Sequence, residues 1–430
     1  MSSEKNQKLK QIEMEKISED WEVNILDEFI EWITYGFTCP MPSTDSGPYM
    51  ITAKDLEGNK INYDTARKTS EEAFKEKLTD KSKPKENDIL LSKDGTLGRV
   101  AIVGNERICI NQSIALLRPN NKILSKFLYY LLISPNYQKK MELDSDGTVI
   151  KHIYITRVNK MKVAIPNILE QTNIAKILSD LDMKIELNQQ MNKTLEAIGH
   201  AIFKHWFVDF EFPNEKGKPY KSSGEEMIDS ELGKIPKDWE IKPIDEIADF
   251  LNGLASQRYP PENEDEFLPV IKIRELRQGI TDSSDKASVN IPNKYIVEDG
   301  DVLFSWSGSL EIVVWTYGKG ALNQHLFKVT SEKYPKWFYY YWIKQHLPEY
   351  RRIAEGKATT MGHIQRHHLK NSLVLTPDSQ TLLRLNKILS PIFEKIIIVN
   401  IENRNLSQIR DSLLPKLMSG QIRVKIKVSK

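Results

Sequence analysis

The stretch AKILSDLDMKIELN at 175–188 returns as NKILSPIFEKIIIVN at 386–400, with Lys176 and Lys387 in register at an offset of 211 residues. Around the later copy a four-three spacing runs Leu385, Leu389, Ile392, Ile396, Val399, Asn403, Leu406, Arg410, Leu413 and Leu417. The same register in the earlier copy runs Ile174, Leu178, Leu181, Ile185, Asn188, Asn192, Leu195, Gly199, Ile202 and Trp206. Apolar residues every 3.5 positions over more than four heptads make a coiled-coil seam, so 170–206 and 382–418 are predicted as long helices. Each would span about 50 Å at 1.5 Å per residue. Polar residues on such a seam fix register and orientation at some cost in stability, which is how Asn188, Asn192 and Asn403 are read. The natural partner of each helix is the other. Because each follows its own module, the pairing is expected to be antiparallel, with one module at each end.

Working outward, the modules repeat too, with a drifting offset. Trp21 in EDWEVNILDEF matches Trp239 in KDWEIKPIDEI at 218, and Gly95 in NDILLSKDG matches Gly308 in GDVLFSWSG at 213. Gln112 in INQSIALLRP matches Gln324 in LNQHLFKV at 212, and His152 in GTVIKHI matches His363 in GKATTMGHI at 211. The period is far too long for a solenoid, so the chain reads as two variable modules held by helices of fixed length.

Each module alternates short β-like runs with turns: 89–92, 100–103, 108–110 and 163–166 in the first, 301–305 and 312–317 in the second. One helical block interrupts each, SKFLYYLLISPNYQKKME and PKWFYYYWIKQHLPEYRR. A mixed α/β module with a small, strongly twisted sheet is expected. Phe127, Tyr129, Tyr130 and Phe338 to Trp342 could stack on bases, but their amphipathic blocks favour core packing. The stretch 207–239 is rich in Gly, Pro, Ser and charge and reads as an ordered, irregular connector. The closing RVKIKVSK is a basic, β-like tail.

Composition permits a nucleic-acid partner without announcing one. Of 430 residues, 40% are hydrophobic and 28% charged, and the net charge is only +2, so anionic partners must be met by local basic patches. Cys39 and Cys109 are too few for a cysteine-rich zinc site or a disulfide framework. The first sixteen residues carry charge throughout without an apolar core, and no stretch approaches eighteen uncharged apolar residues. A cytoplasmic protein is expected.

Catalytic signatures are missing. There is no G-x-x-x-x-G-K-[ST], no G-x-G-x-x-G and no Asn/Asp-Pro-Pro-aromatic tetrapeptide. His363, His367 and His368 lack the Glu of H-E-x-x-H, and only His363 has a counterpart in the other copy, so no metal site is expected. Asp88 and Asp301 precede matched strands, but Trp306 stands where the first copy has Lys93, so no acid–lysine pair is shared. A turn or strand-entry role is expected for both Asp residues. Recognition remains. Gly-flanked loops at 93–99 and 306–311 offer Lys93, Thr96 and Arg99, or Trp306, Ser307 and Ser309. A second pair of loops offers Thr148, Lys151 and His152, or Lys357, Thr359, Thr360 and His363. Such side chains beside Gly suit phosphate contacts on a rigid scaffold. KIRELRQG at 272–279 adds Lys272, Arg274 and Arg277, able to reach guanine edges.

In their duplicated order these marks resemble the specificity subunit of a type I restriction–modification system, over essentially the whole chain. They are W-E-x-x-x-[IL]-x-E at Trp21 and Trp239, D-[IV]-L-[LF]-S, the N-Q pairs and GT-x-x-x-HI at 147–153. To these add I-P with EQ-x-x-I-x-x-IL-x-x-LD at 165–182, the connector FKHWFVDFEFP, and LLPKLMSGQI at 413–422. The second copy departs in its longer GKATTMGHI and in SQTLLRLNKIL, which lacks the EQ. The resemblance implies target-recognition domains at 1–165 and 236–378, a central conserved helical region with connector at 166–235, and a distal one at 379–430. On the spacing read above, Leu181, Ile185, Asn188, Leu195, Ile392, Ile396, Asn403 and Leu406 would line the helix seam. The chain itself would do no chemistry and hold no cofactor. It would read a bipartite double-stranded DNA target and hold two modification and two restriction subunits, which would bring S-adenosylmethionine, ATP and magnesium. Two readings compete: an enzyme with unrecognised motifs, and a coiled-coil scaffold that binds only protein.

Overall fold

The structure, a computed structural model, describes residues 20–146, 152–263, 265–356 and 362–424. It divides into two compact units, 1–184 with 407–430, and 185–406. Each is a mixed α/β body that also contains stretches of both long helices.

In the first unit a four-stranded antiparallel sheet runs in the order Ile30–Tyr35, Ile114–Pro119, Ile89–Ser92, Val100–Ile102. In the second the same order is Asp249–Asn252, Leu326–Thr330, Val302–Ser305, Ile312–Val314. The strands Ile89–Ser92 and Val302–Ser305 are buried at every residue, which explains their continuous apolar runs. Successive side chains go to opposite faces. Ile89 and Leu91 join the core that holds Phe127 and Leu131, while Leu90 joins Ile108, Ile110 and Leu116 on the other side. Val302 and Phe304 likewise face Trp337 and Phe338, and Leu303 faces Leu322 and Trp315.

That second face is covered by a further small sheet, where the sequence reading expected only one sheet per module. Thr44–Ile51 lies parallel to Ile108–Ile110, and Leu268–Ile271 lies parallel to Gly320–Leu322. The chain crosses from one sheet to the next at a glycine each time. A Cβ on Gly36 would stand 1.8 Å from the Ile110 carbonyl oxygen, and one on Gly253 2.2 Å from that of Asn323. No other residue fits without moving backbone.

The aromatic blocks are core, as their amphipathic spacing predicts: Phe127, Tyr130, Phe338 and Trp342 are all buried. The blocks differ in one respect. The first is two helices, Ser125–Ile133 and Pro135–Leu143, because a residue before proline is driven out of the helical region and Ser134 is extended. The second is one helix, Lys336–Glu355.

The long helices are Ile168–Phe207 and Ser379–Met418, each of 40 residues. In the first unit Ile174 and Leu178 share a core with Leu414 and Leu417, and Asp182 meets Arg410. In the second unit Asn188 donates to Glu402 at 3.0 Å and Asn192 to Asn400 at 2.6 Å. Within each unit, rising numbers on one helix meet falling numbers on the other, so the helices pair antiparallel. The predicted seam faces inward: Ile185, Asn188 and Ile396 are buried, and Leu181, Leu195, Ile392, Asn403 and Leu406 are half-buried. The connector is more regular than expected. It carries a hairpin, Met227–Ser230 with Gly233–Pro236, and Phe212 stacks on Trp239 at 4.8 Å. Of the basic tail, Arg423 is bound to Glu170 and Asp20, and 425–430 lie outside the described residues.

Candidate nucleic-acid interface

The loops after Ile89–Ser92 and Val302–Ser305 are built by the same device. The buried Ser92 hydroxyl donates to the Thr96 carbonyl at 2.5 Å and accepts the Arg99 amide at 2.9 Å. The buried Ser305 hydroxyl donates to the Ser309 carbonyl and accepts the Glu311 amide, both at 2.7 Å. One hydroxyl therefore closes each turn across its own strand. A second segment then docks on the first loop residue: the Ile153 amide donates to the Lys93 carbonyl at 3.0 Å, and the Ile364 amide to the Trp306 carbonyl at 2.9 Å. This brings His152 beside Asp94 and His363 beside Ser307 as isolated bridges. The described ends of the second loops, at His152 and His363, thus lie beside the first loops in each unit.

The side chains carried on this common frame differ. In the first unit the Lys93 stem is buried, and its ammonium lies 2.8 Å from Asp94 and 5.5 Å from the centre of the Tyr35 ring. The His152 ring hydrogen-bonds the other Asp94 oxygen and meets the Tyr154 ring at 4.5 Å. Burial works to raise the Asp94 carboxyl, but hydrogen bonds from Lys93 and His152 outweigh it and hold the group below its ordinary value. Tyr35 and Tyr154 are exposed. Thr96 is exposed, whereas Arg99 is partly spent on the Leu56 carbonyl at 2.6 Å.

In the second unit the Trp306 indole donates to the Asn252 side-chain oxygen at 2.9 Å and lies against His325 and Phe327, with centroids 5.8 and 6.0 Å apart. His363 meets it edge-on at 6.4 Å. Ser307 is buried and shares a 3.1 Å hydrogen bond with His325, so it holds the loop rather than presenting a free hydroxyl. Ser309 is exposed.

Lys272, Arg274 and Arg277 do not stand free. They border or lie on the short helix Ile273–Gln278, where Lys272 pairs with Asp285, Arg274 with the fully buried Glu275, and Arg277 with Glu311. Thr148, Lys151, Lys357, Thr359 and Thr360 lie outside the described residues. Asp88 and Asp301 take the strand-entry role expected of them. Each accepts an amide three residues earlier at 2.8 Å, from Lys85 and Glu298, and each pairs at 2.7 Å with a cation on the neighbouring strand, Arg118 and Lys328.

Several positions that build the loop frame carry little or no signal in the sequence. Ser92 and Ser305 could have been found, because both close the repeated D-[IV]-L-[LF]-S run. Tyr35 and Asn252 carry no sequence signal, since they reach the loops only through cross-strand register. Gln171 stands in the EQ-x-x-I run that opens the first long helix. Its amide takes the Leu124 amide and donates to the Lys122 and Pro166 carbonyls, all at 2.9 Å, tying the first unit's fold to its long helix. No helix among the described residues is long and apolar enough to cross a membrane.

Comparison with known proteins gives consistent matches. The family model for the type I restriction modification DNA specificity domain matches residues 18–197 and again 236–409. The chain is similar to the specificity subunit of the type I restriction enzyme MjaIX from Methanocaldococcus jannaschii, with 28% identity over 96% of each chain. It is also similar to the HindI specificity subunit from Haemophilus influenzae, with 27% identity over 79% of this chain and 87% of that one. Among solved structures, the type I restriction–modification S subunit from M. genitalium shares the fold with a TM-score of 0.56 and 18% identity, covering 96% of this chain and 97% of the other.

Proposed function

The chain belongs to the type I restriction modification DNA specificity family, and from that premise we propose that each unit reads one half of a split double-stranded DNA target. A DNA specificity chain is not itself an enzyme. The observation that carries the reading is the duplicated loop frame: one serine latch and one carbonyl–amide dock, made twice, bearing different side chains at the same places. A rigid frame with exchangeable tips is what base reading at two unlike half-sites requires. Lys93, Thr96, Arg99 and His152 in the first unit, and Trp306, Ser309 and His363 in the second, are the side chains best placed for it. Ser307 supports from behind.

The long helices would act as the spacer ruler. Forty continuous residues make a bar of roughly 60 Å, stiff enough to convert helix length into half-site spacing. Leu187, Ile198 and Ile398 are exposed on these helices, off the seam, and would serve as docking points for modification and restriction subunits. Those partners would carry S-adenosylmethionine, ATP and magnesium, and the assembly would work in the cytoplasm. The test is a methylation map of the host. Four residues, about one helical turn, inserted near Lys193 and matched near Val399 should lengthen the spacer of one methylated motif and leave both half-sites unchanged. An unaltered spacer defeats the ruler. Exchanging 236–378 for another module should change one half only, and a change in both halves defeats independent readers.

A further inference from the structure

Resting on that DNA-reading function, we propose that Tyr35 with Lys93, and Asn252 with Trp306, are one pair of base-selecting positions filled with two chemistries. The positions correspond by geometry. Tyr35 ends its strand opposite Ala115, and Asn252 ends its strand opposite Phe327. Each immediately precedes the glycine at which the chain crosses between sheets. Lys93 and Trp306 each open the latched loop and accept the docking amide through their carbonyls. In both units the two positions touch each other across the sheet, by the 5.5 Å cation–ring approach in one and the 2.9 Å indole–amide bond in the other.

What changes between units is which member is aromatic. In the first the strand end supplies the ring and the loop supplies the polar group. In the second the strand end supplies the amide and the loop supplies the ring. The exchange sits on a frame that both units share, since the serine latch and the docking amide are made in each. It does change what a duplex would meet. The Lys93 side chain is largely buried and held by Asp94, and carries ammonium donors suited to guanine O6 and N7. Beside it Tyr35 remains 47% exposed, a large ring with room to pack on a thymine methyl or a sugar. In the second unit the indole occupies the Asn252 oxygen and thereby orients the amide, leaving its NH₂ to donate to a base-edge acceptor. The two pairs therefore select different bases at matching places in the two half-sites.

The test uses the full chain in its own host, read by methylation mapping. Removing the chain should abolish one bipartite methylated motif. If no motif is lost, the DNA-reading function fails and this proposal fails with it. The exchange Tyr35→Asn with Lys93→Trp should then shift base preference about tenfold or more at one or two positions of one half, with the other half and the spacer unchanged. Should that variant lose all methylation through misfolding, Tyr35→Ala at the exposed ring decides. Relaxed preference at one position supports the assignment. A motif unchanged at every position, or a uniform weakening with preference intact, overturns it while leaving DNA reading in place.

Discussion

One joint between globular body and long helices recurs in both units, at residues 211 apart, in opposite chemistry. In the first unit the Tyr130 hydroxyl donates to Asp182 at 2.6 Å, and Asp182 pairs with Arg410 at 2.9 Å. In the second the corresponding residues are Tyr341, Phe393 and Gly199. The Tyr341 and Phe393 rings meet edge-on at 6.2 Å, and a Cβ on Gly199 would stand 2.0 Å from the Tyr341 hydroxyl oxygen. A carboxylate and a guanidinium are thus replaced by a ring and a glycine whose missing side chain leaves room for the Tyr341 hydroxyl. Burial, and then the bond to Asp182, push the Tyr130 hydroxyl far above its ordinary range, so it stays a donor at any working pH. Pseudosymmetry here keeps the tyrosine and the backbone path and leaves polarity free. The same lesson holds at the loops, where Lys93 and Trp306 share a frame and nothing else.

Breaking the apolar joint should cost most. Phe393→Ala removes a buried ring from the second unit's core and should destabilise that unit by about 3–5 kcal/mol. Hydrogen exchange localised by mass spectrometry should show lost protection in 185–406 and little in the first unit. Equal loss in both would mean that the units do not unfold separately. Asp182→Ala should cost the first unit less, about 2 kcal/mol. Its pair with Arg410 keeps 26% and 30% side-chain exposure, midway between surface pairs and fully buried ones. That loss should shrink in 1 M salt, whereas the Phe393 loss should not. The comparison sharpens with the double exchange Asp182→Phe and Arg410→Gly, which writes the second joint into the first. A denaturant series should show the double variant at least ~1 kcal/mol better than the sum of its singles. Strict additivity would show that the two joints only resemble one another.

The long helices were legible because a 3.5-residue period over four heptads has one structural solution. Inward positions from Ile174 to Leu417 follow from spacing alone. The duplicated body was legible as a plan, since Trp21, Gly95 and His152 recur in order. The second sheet of each unit was not. Thr44–Ile51 includes Asp45, Ser46 and Gly47 and shows no alternation, and it becomes a strand only against Ile108–Ile110. The loops were found through their glycines, but their partners were hidden. Nothing in the order of residues says that Tyr35 will lie under Lys93, because that contact follows from the Ala115 pairing. The basic run at 272–279 is half legible for a related reason: charge is visible in sequence, while the carboxylates that pair with Lys272 and Arg277, Asp285 and Glu311, are brought in by folding.

The smallest effect expected separates the units by pH. His346 is half-buried in the second unit, its Nε2 3.1 Å from the Leu373 carbonyl, between the Trp342 and Tyr350 rings and near Glu349. Burial pulls its pKa below the ordinary value of 6.5, against the opposing influence of Leu373 and Glu349. The unfolded chain therefore binds a proton that the folded unit refuses. The resulting stability is present above about pH 6.5 and is lost as pH falls, by at most about 1.4 kcal/mol for each unit of pH from this one group. The first unit carries Pro135 at the corresponding position and has no such group there. Its Asp94 carboxyl, held low, ties Lys93 and His152 together down to more acid pH and loses that tie only as it protonates. Between pH 7.5 and 5.5, exchange protection should fall in 185–406 more than in the first unit, and His346→Gln should remove most of the difference. Parallel decline of both units, or a slope unchanged in His346→Gln, would place the proton elsewhere.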